Sequence, residues 1–189
     1  TPVPTSTSDP TATVTPRPTG TGIPSPTLSA TVTSIPSAIP TATPVDLVIS
    51  NLWVKSGRDY RVQQLTVGDR CYTDRSYRVL GISANLEGLT WIMTANNDKG
   101  ARAATFLAFD LSVRAWVFVA YDARAKALPA WLRSFTPVGG EIGVTGGGAS
   151  RLAIYGREFP AGRVTLGGNQ ADGFAGVNAN YVVLLRASW

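Results

Sequence analysis

One run, residues 113–121, constrains the fold of this chain more than any other stretch. Its alternating side chains form two faces, and both faces are largely apolar, which is typical of a strand covered on both sides. The apolar run stops at Asp122, and polar residues and a proline follow it. We therefore predict a central strand that delivers several polar and aromatic side chains to one rim of the domain. The candidate binding residues at this rim are Tyr121, Asp122, Arg124 and Trp131.

The rest of residues 46–189 is also strand-like. Short apolar segments recur, separated by glycine, asparagine and aspartate turns, and they add up to about ten short strands with no convincing helix. This pattern predicts an all-β fold, an antiparallel two-sheet β-sandwich that is jelly-roll-like. We expect Trp53, Trp91 and Trp116 in its core.

Residues 1–45 have a different composition. They hold 10 of the 13 prolines and no aromatic residue, and threonine and serine fill most of the remainder. We predict an extended, O-glycosylated Thr/Pro/Ser-rich segment at 1–45 and one β-sandwich domain at 46–189. Within residues 23–45, Leu28, Ala30 and Val32 alternate with polar residues. This part is either a solvated linker or a strand that adds to the sheet of another subunit.

The composition excludes several kinds of site. The chain has no histidine and one cysteine, Cys71, so Ser-His-Asp catalysis, imidazole metal sites and multi-thiolate zinc sites are impossible. Only three glutamates occur, and nothing marks a carboxylate pair for glycoside hydrolysis. We predict a protein that is not an enzyme and has no metal or cofactor. Cys71 is expected to be a buried apolar side chain.

The net charge of +5 rests on scattered arginines, without a block of like charges. This distribution argues against a nucleic-acid partner and is compatible with an acidic polysaccharide or another acidic partner. No apolar run approaches the 18 residues of a membrane-spanning helix. We expect neither nucleic-acid binding nor a membrane span.

A second polar cluster interrupts the apolar pattern at residues 96–100. Its candidate binding residues are Asn97, Asp98 and Lys99. The cluster is either a loop whose side chains cap their own backbone or a set of groups for sugar hydroxyls or calcium. At the first rim, the flat faces of Tyr121 and Trp131 would suit a sugar ring, whereas packing is the alternative for Trp131.

Several motifs carry a resemblance to a known family. They are GDRCYTDRSY, TWIMTANNDKG, YDARAKALPAWL and FPAGRVTLGGNQADG, which span most of residues 46–189. Together they resemble an ancillary, carbohydrate-binding-type β-sandwich module attached to secreted bacterial polysaccharide lyases and glycoside hydrolases. The resemblance implies an extracellular, non-catalytic module that binds a polysaccharide and follows a Thr/Pro-rich linker. It does not supply the ligand residues, which are inferred here from the sequence alone.

An alternative function remains open. The chain would then be a self-assembling subunit of a glycosylated extracellular fibre or surface layer, in which residues 23–45 dock on neighbouring subunits. Both functions place the protein outside the cell or at its surface.

Overall fold

The computed structural model describes residues 46–146, 151–173 and 176–188. The extended segment predicted at 1–45 lies outside the described residues, and so does the docking proposed for residues 23–45. Both stay predictions. No helix in the described ranges is long and apolar enough to span a membrane.

Ten strands and two short 3₁₀ turns make up the described part of the chain. The strands are β1 (Ile49–Val54), β2 (Arg61–Gln64), β3 (Val79–Ile82), β4 (Thr90–Met93), β5 (Leu107–Leu111), β6 (Ala115–Asp122), β7 (Thr136–Val144), β8 (Arg151–Phe159), β9 (Gly162–Leu166) and β10 (Val182–Ala187). The 3₁₀ turns are Asn96–Gly100, between β4 and β5, and Ala130–Ser134, between β6 and β7.

The strands form two sheets. A three-stranded sheet has the order β1-β5-β9, and a seven-stranded sheet has the order β2-β4-β10-β6-β8-β7-β3. Every neighbouring pair is antiparallel. The prediction of an all-β, antiparallel two-sheet sandwich is therefore confirmed.

The apolar run at residues 113–121 lies largely in β6, the fourth of the seven strands in the larger sheet. Val117, Val119 and Tyr121 face the core between the two sheets, and Phe118 and Ala120 belong to a second core on the other face. The prediction of a central strand covered on both sides is confirmed. Its physical cause is visible in the sequence, because both alternating faces of the run are almost entirely apolar.

The second core lies on the far side of the seven-stranded sheet. It is closed by the β2–β3 connection, which contributes Leu65, Cys71 and Tyr72, all almost fully buried. Although β2 and β3 are opposite edges of the sheet, Gly68 in the connection after β2 donates its N–H to the carbonyl of Val79 in β3. Burial raises the pKa of the Cys71 thiol to about 12, so the expectation of a buried, apolar cysteine is confirmed.

The expectation that three tryptophans lie in the core was wrong for one of them. Trp91 is fully buried and Trp116 is partly buried against Phe118, but Trp53 is 45% exposed. The 3₁₀ turn Ala130–Ser134 separates the end of β6 from β7, which begins at Thr136. Positive φ angles at Gly139 and Gly140 accompany a register shift within β7, so this glycine-rich stretch continues as a strand.

Candidate functional site

Asp122 ends β6 and holds two loops together. Its carboxylate is buried and accepts hydrogen bonds from Arg124 Nε (3.0 Å), Arg124 Nη2 (2.8 Å) and the backbone N–H of Asn178 (2.8 Å). Burial by itself would raise the pKa of Asp122, but hydrogen bonds from Arg124 and from backbone N–H groups outweigh it and lower the pKa. The charge of Asp122 is thus compensated within the chain.

Tyr121 points into the core between the sheets. Its hydroxyl donates to the backbone carbonyl of Asn169 at 2.5 Å, and the side chain of Asn169 donates in turn to the carbonyls of Lys99 (2.9 Å) and Ala179 (3.0 Å). Burial, followed by the charge of Asp122, raises the pKa of the Tyr121 phenol. Asn169 therefore joins the two predicted clusters, one around Tyr121 and one around Lys99.

Trp131 is partly buried and packs against the core between the sheets. Its indole Nε1 donates to the carbonyl of Gly168 at 3.0 Å, and its ring makes edge contacts with Tyr181 and Phe135 at centroid distances of 5.4 and 6.0 Å. A Cβ added to Gly167 would lie only 2.3 Å from the indole Cδ1. The packing role that the sequence left open for Trp131 is the one its contacts display.

The cluster at residues 96–100 is the first 3₁₀ turn. Asp98 is 6% exposed and accepts hydrogen bonds from Ser56 Oγ (2.8 Å), Arg58 Nε (3.0 Å) and the Tyr60 hydroxyl (3.0 Å). Asn97 is exposed, and its backbone N–H donates to the carboxylate of Asp74. Lys99 is half-buried. The carboxylate of Asp98 is therefore bonded to the β1–β2 loop.

Two buried asparagines that the site prediction did not include complete this network. Besides Asn169, Asn180 donates to the carbonyl of Ala95 (2.9 Å) and to the Tyr60 hydroxyl (3.1 Å). Each asparagine stands in a loop next to an apolar strand, a position that the sequence alone cannot distinguish from an exposed turn. We call this assembly the rim network; it comprises Tyr60, Asp98, Tyr121, Asp122, Trp131, Asn169, Asn180 and Tyr181.

A different surface exposes its aromatic side chain. A groove of about 280 Å³ follows β1 and the loop after it, and Trp53 lies in its wall with 45% of its surface exposed. We call it the Trp53 groove; its lining residues are Leu52, Trp53, Val54, Gly57, Arg58, Asp59 and Tyr60.

The rim network fixes the loop that forms this groove. Ser56, Arg58 and Tyr60 all donate to Asp98, so the β1–β2 loop is tied to the first 3₁₀ turn. The Arg58 side chain remains 47% exposed although its Nε is bonded to Asp98. Asp59, also exposed, pairs with Arg61 at 2.6 Å. The groove thus combines an exposed indole with charged groups on a fixed loop.

A row of polar side chains crosses the same sheet. Asn51 Nδ2 donates to Asp110 at 2.6 Å, and Arg163 Nη1 donates to Asp110 at 3.1 Å and to the Asn51 carbonyl at 2.8 Å. Hydrogen bonds from Asn51 and then from Arg163 lower the pKa of Asp110. Asn51 has a positive φ of 49° where the β1–β5 register shifts, a conformation that asparagine tolerates better than most residues.

Most carboxylates of the described residues are paired with arginine. The seven pairs are Arg58–Asp98, Arg61–Asp59, Arg75–Asp74, Arg114–Glu158, Arg124–Asp122, Arg151–Glu141 and Arg163–Asp110. Within the described ranges no three acidic, histidine or cysteine side chains group as metal ligands would. The carboxylate charges of the described surface are therefore largely balanced locally, whereas several of its arginines have no carboxylate within 4.0 Å.

Comparisons with known proteins give a fold but no family. No protein-family model matches the chain, and no curated protein matches it. A solved β-glucuronidase structure from glycoside hydrolase family 2 superposes with a TM-score of 0.65 at 20% identity, over 74% of this chain and 15% of that one. A second solved structure, of a GH138 enzyme targeting pectin rhamnogalacturonan II, gives a TM-score of 0.47 at 18% identity, over 78% and 18% of the two chains.

The coverage and identity of these matches limit what can be inferred from the structural similarity. The chain spans less than a fifth of the length of either enzyme. The similarity to the β-glucuronidase, at 20% identity, shows a shared fold alone. What is established is that the domain shares its β-sandwich fold with part of a carbohydrate-active enzyme.

Proposed function

We propose that this domain is a non-catalytic, carbohydrate-binding-type β-sandwich module of an extracellular protein, and that the Trp53 groove is its binding surface. The observation that carries the proposal is the exposed indole of Trp53 beside charged side chains in a groove. The shared fold with part of a glycoside hydrolase supports the same function.

The chemistry of the groove suits a sugar. An indole presents a flat apolar face, which can cover the C–H face of a pyranose ring, while its neighbours supply hydrogen bonds at the ring edge. Arg58 offers donors and Asp59 offers acceptors, and both are exposed next to Trp53. A small number of placed polar groups around an apolar contact is the usual composition of a ligand site.

The groove is also held in one conformation before any ligand arrives. Trp53 is part of β1, which is paired with β5, and the loop after it is bonded to Asp98. Preorganisation of this kind reduces the loss of conformational entropy on binding. We therefore assign Asp98 a positioning role, and we place the direct contact with glycan at Trp53, Arg58 and Asp59.

The state of the carboxylates supports a role without catalysis. A glycosidase needs one carboxylic acid whose pKa is raised so that it can donate a proton near neutral pH. Asp110 and Asp122 instead have lowered pKa values, because arginine and other donors stabilise their charged forms. Such groups hold structure or accept hydrogen bonds better than they deliver protons.

The test is a comparison of Trp53 variants. Wild type should be screened on a broad glycan array, and the affinity for the best glycan then measured by titration calorimetry. Trp53→Ala should weaken that affinity by about tenfold or more, whereas Trp53→Phe, which keeps an aromatic face, should lose less.

Val67→Ala is the matched control, because Val67 is 47% exposed and lies outside the groove. Unchanged affinity in Trp53→Ala would remove the groove from the proposal. A folded wild-type domain that binds no glycan would overturn the function itself.

A further inference from the structure

Two exposed arginines lie directly opposite each other at one edge of the seven-stranded sheet. Arg70, in the β2–β3 connection, forms an antiparallel bridge with Arg78, which precedes β3. The flanking hydrogen bonds run from Val79 N–H to the Asp69 carbonyl and from Cys71 N–H to the Tyr77 carbonyl. Arg70 and Arg78 are therefore the non-hydrogen-bonded pair of this bridge, the arrangement in which opposing side chains come closest.

Both guanidinium groups extend from the face that is turned away from the second core. Cys71 and Val79, the next residues along each segment, are buried in that core, so alternation sends the two arginines outward. Leu80 is 63% exposed beside them. The Arg78 guanidinium donates to the Gly68 carbonyl at 2.6 Å, which holds it near the bridge.

Like charges in this position are unfavourable, and cross-strand pairs are normally of opposite sign. Seven other arginines of the described residues each have a carboxylate within 4.0 Å. Over those same residues, no carboxylate lies within this distance of Arg70 or Arg78. The pair thus places two guanidinium groups side by side with no carboxylate within 4.0 Å in the described part of the chain, which concentrates positive charge at this edge.

We propose that Arg70 and Arg78 bind the carboxylate or sulfate groups of an acidic polysaccharide, at a site separate from the Trp53 groove. Guanidinium groups bind such oxyanions through paired hydrogen bonds, and an anion between the two arginines relieves their repulsion. Leu80 supplies an apolar contact for the sugar ring. The polysaccharide rests on the proposed function, whereas recognition of the oxyanion rests on the arginine pair.

The size of the patch favours a polysaccharide over a nucleic acid. Proteins that bind duplex nucleic acid through its backbone engage about 6–10 phosphates. Here two arginines form the patch, and a sugar acid spaced along a glycan chain requires no more than that.

The experiment compares a charged ligand with its uncharged counterpart and with a ligand that carries a different oxyanion. An oligogalacturonide, its fully methyl-esterified counterpart and a sulfated oligosaccharide are titrated into wild type at low ionic strength, and the dissociation constants are measured. We expect the charged ligands to bind and the esterified one to bind about tenfold more weakly or worse. The relative affinities of the first and third ligands distinguish carboxylate from sulfate recognition.

Variants then locate the site. Arg70→Gln/Arg78→Gln should lose most affinity for the charged ligand, and Arg70→Lys/Arg78→Lys should retain part of it because the charge remains. The matched control is Arg102→Gln/Arg133→Gln, which removes the same charge elsewhere. An equal loss in that control, equal binding of the esterified ligand, or tighter binding of duplex DNA would each overturn the proposal.

The Trp53 groove and the arginine pair can be tested independently of each other. Trp53→Ala should leave binding of the charged ligand at the arginine pair within about twofold of wild type, since it changes another surface. If the Trp53 variants or the Arg70/Arg78 variants lost binding of both the groove glycan and the charged oligosaccharide, the assignment of two separate sites would be wrong.

Discussion

The rim network and the Trp53 groove are built from the same kinds of residue, and they use them in opposite ways. In the rim network, Asp122 and Trp131 direct their polar atoms to groups of the chain itself. In the groove, Trp53 and Arg58 keep about half of their surface in solvent. Residue type therefore does not distinguish a binding surface from a structural one. Exposure to solvent does: the Asp122 side chain is fully buried, whereas Arg58 is 47% exposed although it is bonded to Asp98.

The position of each region in the sheets explains the difference. β6 is the central strand of seven, so the loops at its end are surrounded by neighbouring connections that consume its polar groups. β1 is an edge strand of a sheet of only three, and the outward side chains of β1 have fewer neighbours to cover them. An edge offers both backbone and side chains to a partner.

The largest effect on stability is expected at Asp122, in the rim network. Asp122→Ala removes a buried carboxylate and leaves the donors of Arg124 and Asn178 without their acceptor, which should lower the free energy of unfolding by about 3 kcal/mol. Urea unfolding monitored by fluorescence measures it. Asp59→Ala is the control, because the Asp59–Arg61 pair is exposed and should contribute less than about 1 kcal/mol. Equal losses in the two variants would show that the rim network is not structural.

The pH dependence of the free energy of unfolding tests whether the charge of Asp122 causes the loss of stability. The pKa of Asp122 is lower in the folded state, so its contribution to stability is present above the unfolded-state pKa of about 3.9 and disappears as the pH falls through the folded value. The difference between wild type and Asp122→Ala should be constant between pH 5 and about 7 and shrink below about pH 4. A difference that does not depend on pH would assign the loss to packing alone.

A smaller effect should appear at Asp98, where the two regions meet. Asp98→Asn keeps the size of the side chain but weakens its bonds to Ser56 and Arg58, so the groove loop loses part of its anchoring. We expect stability to fall by about 1 kcal/mol and glycan affinity by a few-fold. Glu87→Gln, an exposed change elsewhere, is the control. A loss of affinity as large as that of Trp53→Ala would indicate that Asp98 contacts the glycan directly.

The sequence predicted the architecture well because periodicity reports burial directly. Residues 113–121 are apolar at alternate positions on both faces, and the strand they form is central. The ten-strand count follows from turn residues between apolar segments in the same way. The course of β7 through its glycine-rich stretch could not be predicted from the sequence. Gly139 and Gly140 are left-handed, but they form a bulge and do not end the strand.

Trp53 shows why the proposed binding surface was harder to predict. Strict alternation from Ile49 would turn Trp53 inward, but the register shift at Asn51 reverses the faces, so Leu52 and Val54 turn inward and Trp53 turns outward. The sequence contains the asparagine but does not reveal its left-handed conformation. The partners of Asp98 and Asp122 were equally hidden, because they come from distant segments of the chain.

The side-chain N–H signals of the tryptophans test most directly whether a glycan binds at Trp53 and not at Trp131. In a ¹⁵N-labelled sample, each indole gives its own cross-peak, assigned by single substitutions, and the peaks are followed while a bound glycan is titrated in. We expect a progressive shift of the Trp53 signal and a stationary Trp131 signal, because the Trp131 indole stays bonded to Gly168. A shift of the Trp131 signal with the Trp53 signal unchanged would contradict the proposed site and place glycan binding at the rim network.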